Sequence, residues 1–168
     1  MPAFSSHRYP MERHKLDSID LRILYELQED GRITNVELSK RAKITAPPCL
    51  RRMRALEKAG YIKGYHADLD GKLLGYEVTG FAFVGLVSQA DADLKRFEEQ
   101  ARSWAEVREC YMLQGEFDFL LKCVAKDLSA FQFFVTDTLT SAKNVASVRT
   151  TLVMRNSKGE PGVPIDVK

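Results

Sequence analysis

Apolar positions in the first seventy residues recur at helical spacing in three short runs. Ile19, Ile23, Leu24 and Leu27 form one stripe, with Asp17 placed to cap the helix and Leu16 and Leu21 placed as a hydrophobic staple. Gly31 ends that run. Thr34 and Glu37 have capping-box spacing ahead of a short second helix that ends near Lys43. Ile44-Thr45-Ala46 reads as a tight turn into a third helix, with Thr45 as N-cap and Pro47 and Pro48 in the first turn, where missing N–H groups do no harm. At 100° per residue, Cys49, Leu50, Met53 and Leu56 share one face of this helix, and Arg51 points away from Met53. Gly60 closes it, and the β-prone Tyr61–Asp68 segment is expected to form a wing.

The pattern changes after a linker with two glycines. Residues 77–88 are strand-like, and 90–103 are helical through Leu94, Phe97 and Ala101. Residues 107–113 and 117–124 read as two strands around Gln114-Gly115-Glu116. Asp127 caps a helix carrying Leu128, Phe131, Phe134, Val135 and Leu139, and 145–154 is a last strand. The order is β-α-β-β-α-β, the ferredoxin-like split unit. The fold class is α+β. It has an N-terminal helix-turn-helix domain over 16–68, a linker at 69–76 and a ferredoxin-like domain over 77–156. An extension, 1–15, and a tail, 157–168, flank them. Helices on one face of such a sheet leave the other bare. Phe81, Phe83 and Val87 are expected to line it, and two copies to pair through it.

Composition adds limits. Apolar residues make up 45% of the 168 and charged residues 29%, so the chain can bury a core without disulfide or metal staples. No apolar run reaches the roughly 18–20 residues of a membrane span. Residues 1–15 are polar and are not expected to be a secretory signal. Cys49, Cys110 and Cys123 are odd in number and far apart, and with His7, His14 and His66 they make no ligand pattern. No metal and no cofactor is expected. The net charge of +2 is unevenly spread. Residues 1–68 carry thirteen basic and nine acidic side chains, and the remainder twelve and fourteen. Lys43, Arg51, Arg52, Arg54 and Lys58 face Glu57 alone. A basic face on an isolated helix is usually only solvated. Here it follows two capped helices and a tight turn, which is helix-turn-helix form, and double-stranded DNA is the expected partner. Gly115–Asp118, by contrast, reads on its own as an ordinary turn with Asp118 solvated or capping.

Long ordered motifs then resemble the Lrp/AsnC, or feast/famine, transcription regulators. They are Leu16–Asp20, Gly31–Asn35, Cys49–Tyr65, Gly115–Asp118 and Arg149–Thr151, in register across 16–155. The resemblance implies a winged helix-turn-helix that binds DNA and a second domain that makes dimers, assembling to octamers. It also implies a small effector, an amino acid, bound between dimers. Thr45, Pro47, Pro48 and Arg51 fall nearest base edges, and Arg52, Arg54 and Lys63 toward phosphates. Thr45-Ala46 departs from the Ser-Pro usual there, so no operator sequence can be borrowed. For the effector, Gly115, Glu116, Phe117 and Asp118 would hold the α-ammonium and α-carboxylate. Leu113, Leu128, Thr151, Leu152 and Val153 would surround the side chain. Thr151 stands where the leucine-responsive type often has tyrosine, which unsettles leucine as ligand. Such a regulator works on the nucleoid in the cytoplasm, with no membrane partner. Two other readings stand beside it: an architectural DNA binder with no effector, and an enzyme of the sirohaem-decarboxylase kind. The second lacks any histidine after His66.

Overall fold

The computed structural model describes residues 15–167. The extension expected over 1–15 therefore lies, but for Lys15, outside the described residues. The chain forms two compact units. One runs to Asp68 and also takes in the segment from Gly159 onward, and the other is Leu69–Lys158. Among the described residues no helix is long and apolar enough to cross a membrane.

The first unit holds helices α1 (Ser18–Glu29), α2 (Asn35–Arg41) and α3 (Ala46–Lys58). Asp17 caps α1 in a full capping box: its carboxylate accepts from the Asp20 N–H, and the Asp20 carboxylate accepts from the Asp17 N–H. Thr34 caps α2 by accepting from the Glu37 N–H, while Glu37 itself turns to Arg41 and Lys40. The turn between α2 and α3 is a Schellman ending. The Ile44 N–H donates to the Ser39 carbonyl, the Lys43 N–H donates to the Lys40 carbonyl, and Lys43 sits at φ +55° where glycine is usual. Asn35 ties the turn by donating to the Ala46 carbonyl at 3.0 Å. Thr45 has the extended backbone of an N-cap, but its hydroxyl makes no capping bond. Gly60 ends α3 in the same Schellman geometry at φ +78°. Ile23, Leu27, Leu38, Ala42, Cys49 and Leu56 make the core.

The residues expected as the wing, 61–68, are extended but carry no strand. They have no partner strand to complete a ladder, and a lone extended segment holds only through its side chains. Tyr61 and Ile62 pack on the core, and the Tyr65 hydroxyl donates to Glu57 at 3.0 Å.

The second unit is the split β-α-β-β-α-β fold. Strands β1 (Val78–Leu86), β2 (Val107–Met112), β3 (Phe119–Ala125) and β4 (Val145–Leu152) form one antiparallel sheet in the order β2-β3-β1-β4. Helix α4 (Asp91–Ser103) joins β1 to β2, and α5 (Leu128–Phe133) leads from β3 toward β4. The helix after Asp127, expected as one run, widens into a π-turn over Phe134–Leu139. There the Thr140 N–H and hydroxyl both donate to the Val135 carbonyl, and the hydroxyl competes with the ordinary helical bond. Both helices cover one face of the sheet. Ala82, Val84, Phe119, Leu121 and Cys123 lie buried beneath Phe97, Ala101, Phe131, Phe134 and Leu139. Gly80 makes this packing possible, since a Cβ there would stand 2.7 Å from the Phe131 ring. The other face carries half-buried Phe81, Phe83, Leu120 and Val124, with Lys122 paired to Glu109 at 2.8 Å. Val87 lies beyond β1 and is exposed.

Candidate functional site

One side of α3 is covered and the other is bare. Cys49 and Leu56 are buried, whereas Pro47, Arg51, Arg54, Ala55 and Lys58 are exposed. Their spacing of four, three, one and three residues makes a single helical face. Thr45 and Lys63 are also exposed, and Pro48 is half-buried. Lys43, Arg51, Arg54, Lys58 and Lys63 make no ion pair among the described residues, so their charge is available to an anionic partner. Two of these, Lys43 and Lys58, were not among the expected contacts. The helical spacing of 47, 51, 54 and 58 was the signal for Lys58.

Arg52 behaves differently. Its Nη1 donates to Asp20 at 2.7 Å and to Asp17 at 2.8 Å. Asp20 is only 3% exposed. Arg52, expected toward phosphates, is thus engaged inside the unit and ties α3 to the start of α1.

The residues expected to hold an effector fall into two groups in the second unit. Leu113 to Asp118 connect β2 to β3. Asp118 fastens this turn to β1 through two bonds and closes it with a third: its N–H donates to the Val84 carbonyl at 2.9 Å, its Oδ2 accepts from the Leu86 N–H at 2.6 Å, and its carbonyl accepts from the Leu113 N–H at 2.7 Å. Asp118 Oδ1 has no partner among the described residues, and the N–H groups of 114–117 donate to no protein acceptor there. Gly115 has φ +156° with open space where a Cβ would stand. Glu116 faces Arg149 at 3.6 Å, and the Arg149 guanidinium lies over the Phe117 ring. The second group sits at the other end of the sheet. Thr151 pairs with Phe81, Leu152 with Gly80, and the Val153 N–H donates to the Thr79 carbonyl. Leu128 opens α5 beside that end and is exposed. Three to five steps along β1 separate Val84 from Phe81, Gly80 and Thr79, about 10–17 Å at the rise of a strand, and the Phe117 ring reaches back to Phe83 at 5.5 Å and lies under Arg149.

A three-helix unit with a bare cationic face, followed by a ferredoxin-like domain, is the arrangement of a two-domain DNA-binding regulator. The comparisons agree. The family model for a winged helix-turn-helix DNA-binding domain matches residues 16–63, and that for the Lrp/AsnC ligand-binding domain matches 79–163. The chain is 56% identical over 146 residues to the leucine-responsive regulatory protein of Rhizobium meliloti, covering 87% of this chain and 94% of that one. It is 38% identical to the transcriptional regulator AzlB of Bacillus subtilis, over 90% and 96% of the two chains. A Neisseria meningitidis transcriptional regulator solved with L-Met superposes with TM-score 0.85 at 38% identity, covering 90% and 97%. Escherichia coli AsnC does so with TM-score 0.80 at 26% identity, covering 89% and 99%. The chain belongs to the Lrp/AsnC family of transcriptional regulators, and its first unit is the family's DNA-binding domain.

Proposed function

We propose that this regulator reads DNA through the bare face of α3 and answers to an amino acid held between copies of the chain. The unfilled polar groups of the Gly115–Asp118 turn carry this reading. Leu152 and Val153 lie four to five strand steps from Val84, about 13–17 Å, which supports a second copy completing the open side of the site. The Gly115–Asp118 turn suits one end of a zwitterion. Asp118 Oδ1 takes the α-ammonium, and the unused N–H groups of 114–117 take the α-carboxylate. Leu113, Leu128, Leu152 and Val153 offer apolar contact to the side chain, and Thr151 a polar one. The L-Met bound to the Neisseria relative supports an unbranched apolar amino acid. Copies pair through the helix-free face of the sheet, and dimers assemble further, to an octamer. The ligand acts by binding one assembly state better than another, which changes the half-sites engaged together. The protein works on the nucleoid in the cytoplasm.

Calorimetry with L-methionine and L-leucine tests the ligand half. Asp118→Ala should weaken binding at least about tenfold, the scale of one lost charged hydrogen bond. Unchanged affinity would remove Asp118 from the site. A wild type that binds no amino acid at all would favour the effector-independent architectural reading.

In this reading the exposed Arg51 donates to a guanine edge in the major groove, with Thr45, Pro47 and Pro48 toward the bases beside it. Arg54 and Lys63 hold phosphates. Arg51→Ala should reduce affinity for duplexes selected by the wild type by about 1–2 kcal/mol while leaving random DNA nearly untouched. Equal loss on both would make Arg51 a phosphate contact.

A further inference from the structure

Among the described residues the tail after β4 forms no helix or strand. Yet the segment from Gly159 onward belongs to the DNA-binding unit. Its anchor is the side-chain amide of Gln28. The Gln28 Nε2 donates to the Val163 carbonyl at 2.9 Å, and the Val163 N–H donates to Gln28 Oε1 at 3.0 Å. One amide thus satisfies both backbone groups of one tail residue, as a strand neighbour would. Farther on, Val167 shares a shallow depression with Ser18, Ile19, Arg22, Arg41, Ala42 and Lys43.

The spacing of these contacts gives the path. Val163 to Val167 is four extended steps, about 13 Å. Gln28 to Ile19 is nine helical steps, also about 13 Å. The tail therefore runs antiparallel along α1 and ends against the close of α2, beside the turn that leads into α3. The burial of α1 fits this: every residue from Ile19 to Gln28 is buried or half-buried, although the helix lies in a three-helix unit. Gly162 sets the approach. It sits at φ +73°, and a Cβ there would run into Gln28 Oε1.

The chain passes between its two units twice, at Asp68–Leu69 and again at Lys158–Gly159. We infer that residues 159–167 are a releasable second tether, which docks along α1 so that each DNA-binding unit is held at two points. Two exposed, neutral hydrogen bonds compete with water, and ordering the segment opposes them, so docking is poised rather than locked. A unit held at two points presents α3 within a narrower range than one on a single linker. In an assembly with two such units, that narrowing raises the effective concentration of the second unit at a correctly spaced half-site. This last step rests on the paired assembly proposed above.

The test uses the full chain with Gln28→Ala and, separately, Gly162→Ala. Gln28 is half-buried at the surface of α1, so the first variant keeps the core. Amide exchange at Val163 should speed up at least about tenfold in both variants, while exchange in α1 stays slow. On duplexes selected from a random pool by the wild type, affinity should fall about tenfold when the duplex carries two half-sites. It should stay unchanged when the duplex is cut to one. Gln28→Glu keeps the acceptor but loses the donor and should fall between. Unchanged Val163 exchange would overturn the strap. So would equal affinity loss on long and short duplexes, or no loss on either in a protein that sediments as a dimer or larger. A wild type that sediments as a monomer would overturn the paired assembly, and with it the affinity consequence drawn here.

Discussion

Replacing Arg52 by methionine should lower the stability of the DNA-binding unit by about 3 kcal/mol and cost DNA binding with it. The reason is what the substitution leaves behind. Asp20 is 3% exposed, and Arg52 Nη1 is its charged partner at 2.7 Å. Methionine fills the space but leaves a buried carboxylate facing only the Asp17 N–H. The figure belongs at the low end for a broken buried pair, because Arg52 itself is 31% exposed and partly screened. The acid limb separates this account from a phosphate-contact role. Asp17 is held below the usual carboxylate range, first by the N–H of Asp20 and then by the Arg52 guanidinium. A depressed carboxylate contributes stability above its unfolded value and loses it as pH falls through the folded one. The wild-type unit should therefore weaken below about pH 4. The variant lacks the Arg52 contribution to holding Asp17 low, so its deficit should narrow there. Thermal melts of the two proteins between neutral pH and pH 3 read this directly. A variant that melts like the wild type but loses one unit of salt dependence on DNA would return Arg52 to the phosphate backbone.

That contrast shows what could be read from the sequence and what could not. The caps of α1 and α2, the prolines of α3 and the β-α-β-β-α-β order of the second unit were legible, because each rests on spacing between near neighbours. Arg52 was not, because its partners lie more than thirty residues away. From α3 alone it is one of four cations, and only the packing of α3 on α1 distinguishes it from Arg51 and Arg54. The clamp between Gln28 and Val163 spans 135 residues and was invisible for the same reason. The strand content of the wing segment was misread for another reason. Tyr61–Asp68 has strand composition, but a strand needs a partner and none is supplied. In the ligand domain the motif Gly115–Asp118 was legible as a family signature. The unfilled N–H groups and carboxylate oxygen of that turn were not, because they depend on how Asp118 is fastened to β1.

Phe97→Ala should destabilise the ligand-binding unit by about 4 kcal/mol and leave the melting of the DNA-binding unit where it is. Phe97 is 1% exposed and is the centre of a chain of four rings. Phe119 lies 4.7 Å from it and Trp104 5.9 Å, and Phe134 meets Trp104 at 5.8 Å. Truncation opens a cavity between α4 and β3 and removes two ring contacts, each of about 0.5–1.5 kcal/mol. On the proposed function, the damage reaches ligand binding through Phe119, which directly follows Asp118 and pairs with Val84, the strand residue that anchors the Gly115–Asp118 turn. A loosened Phe119 no longer fixes that turn, so amino-acid binding should fall with stability. The core of the DNA-binding unit shares no residue with this one. A calorimetric scan should therefore resolve one transition that moves and one that stays. Affinity for a single half-site should persist while assembly and the ligand response are lost. A single transition that shifts as a whole would mean that the two units unfold together, and that the modular reading of the chain is wrong.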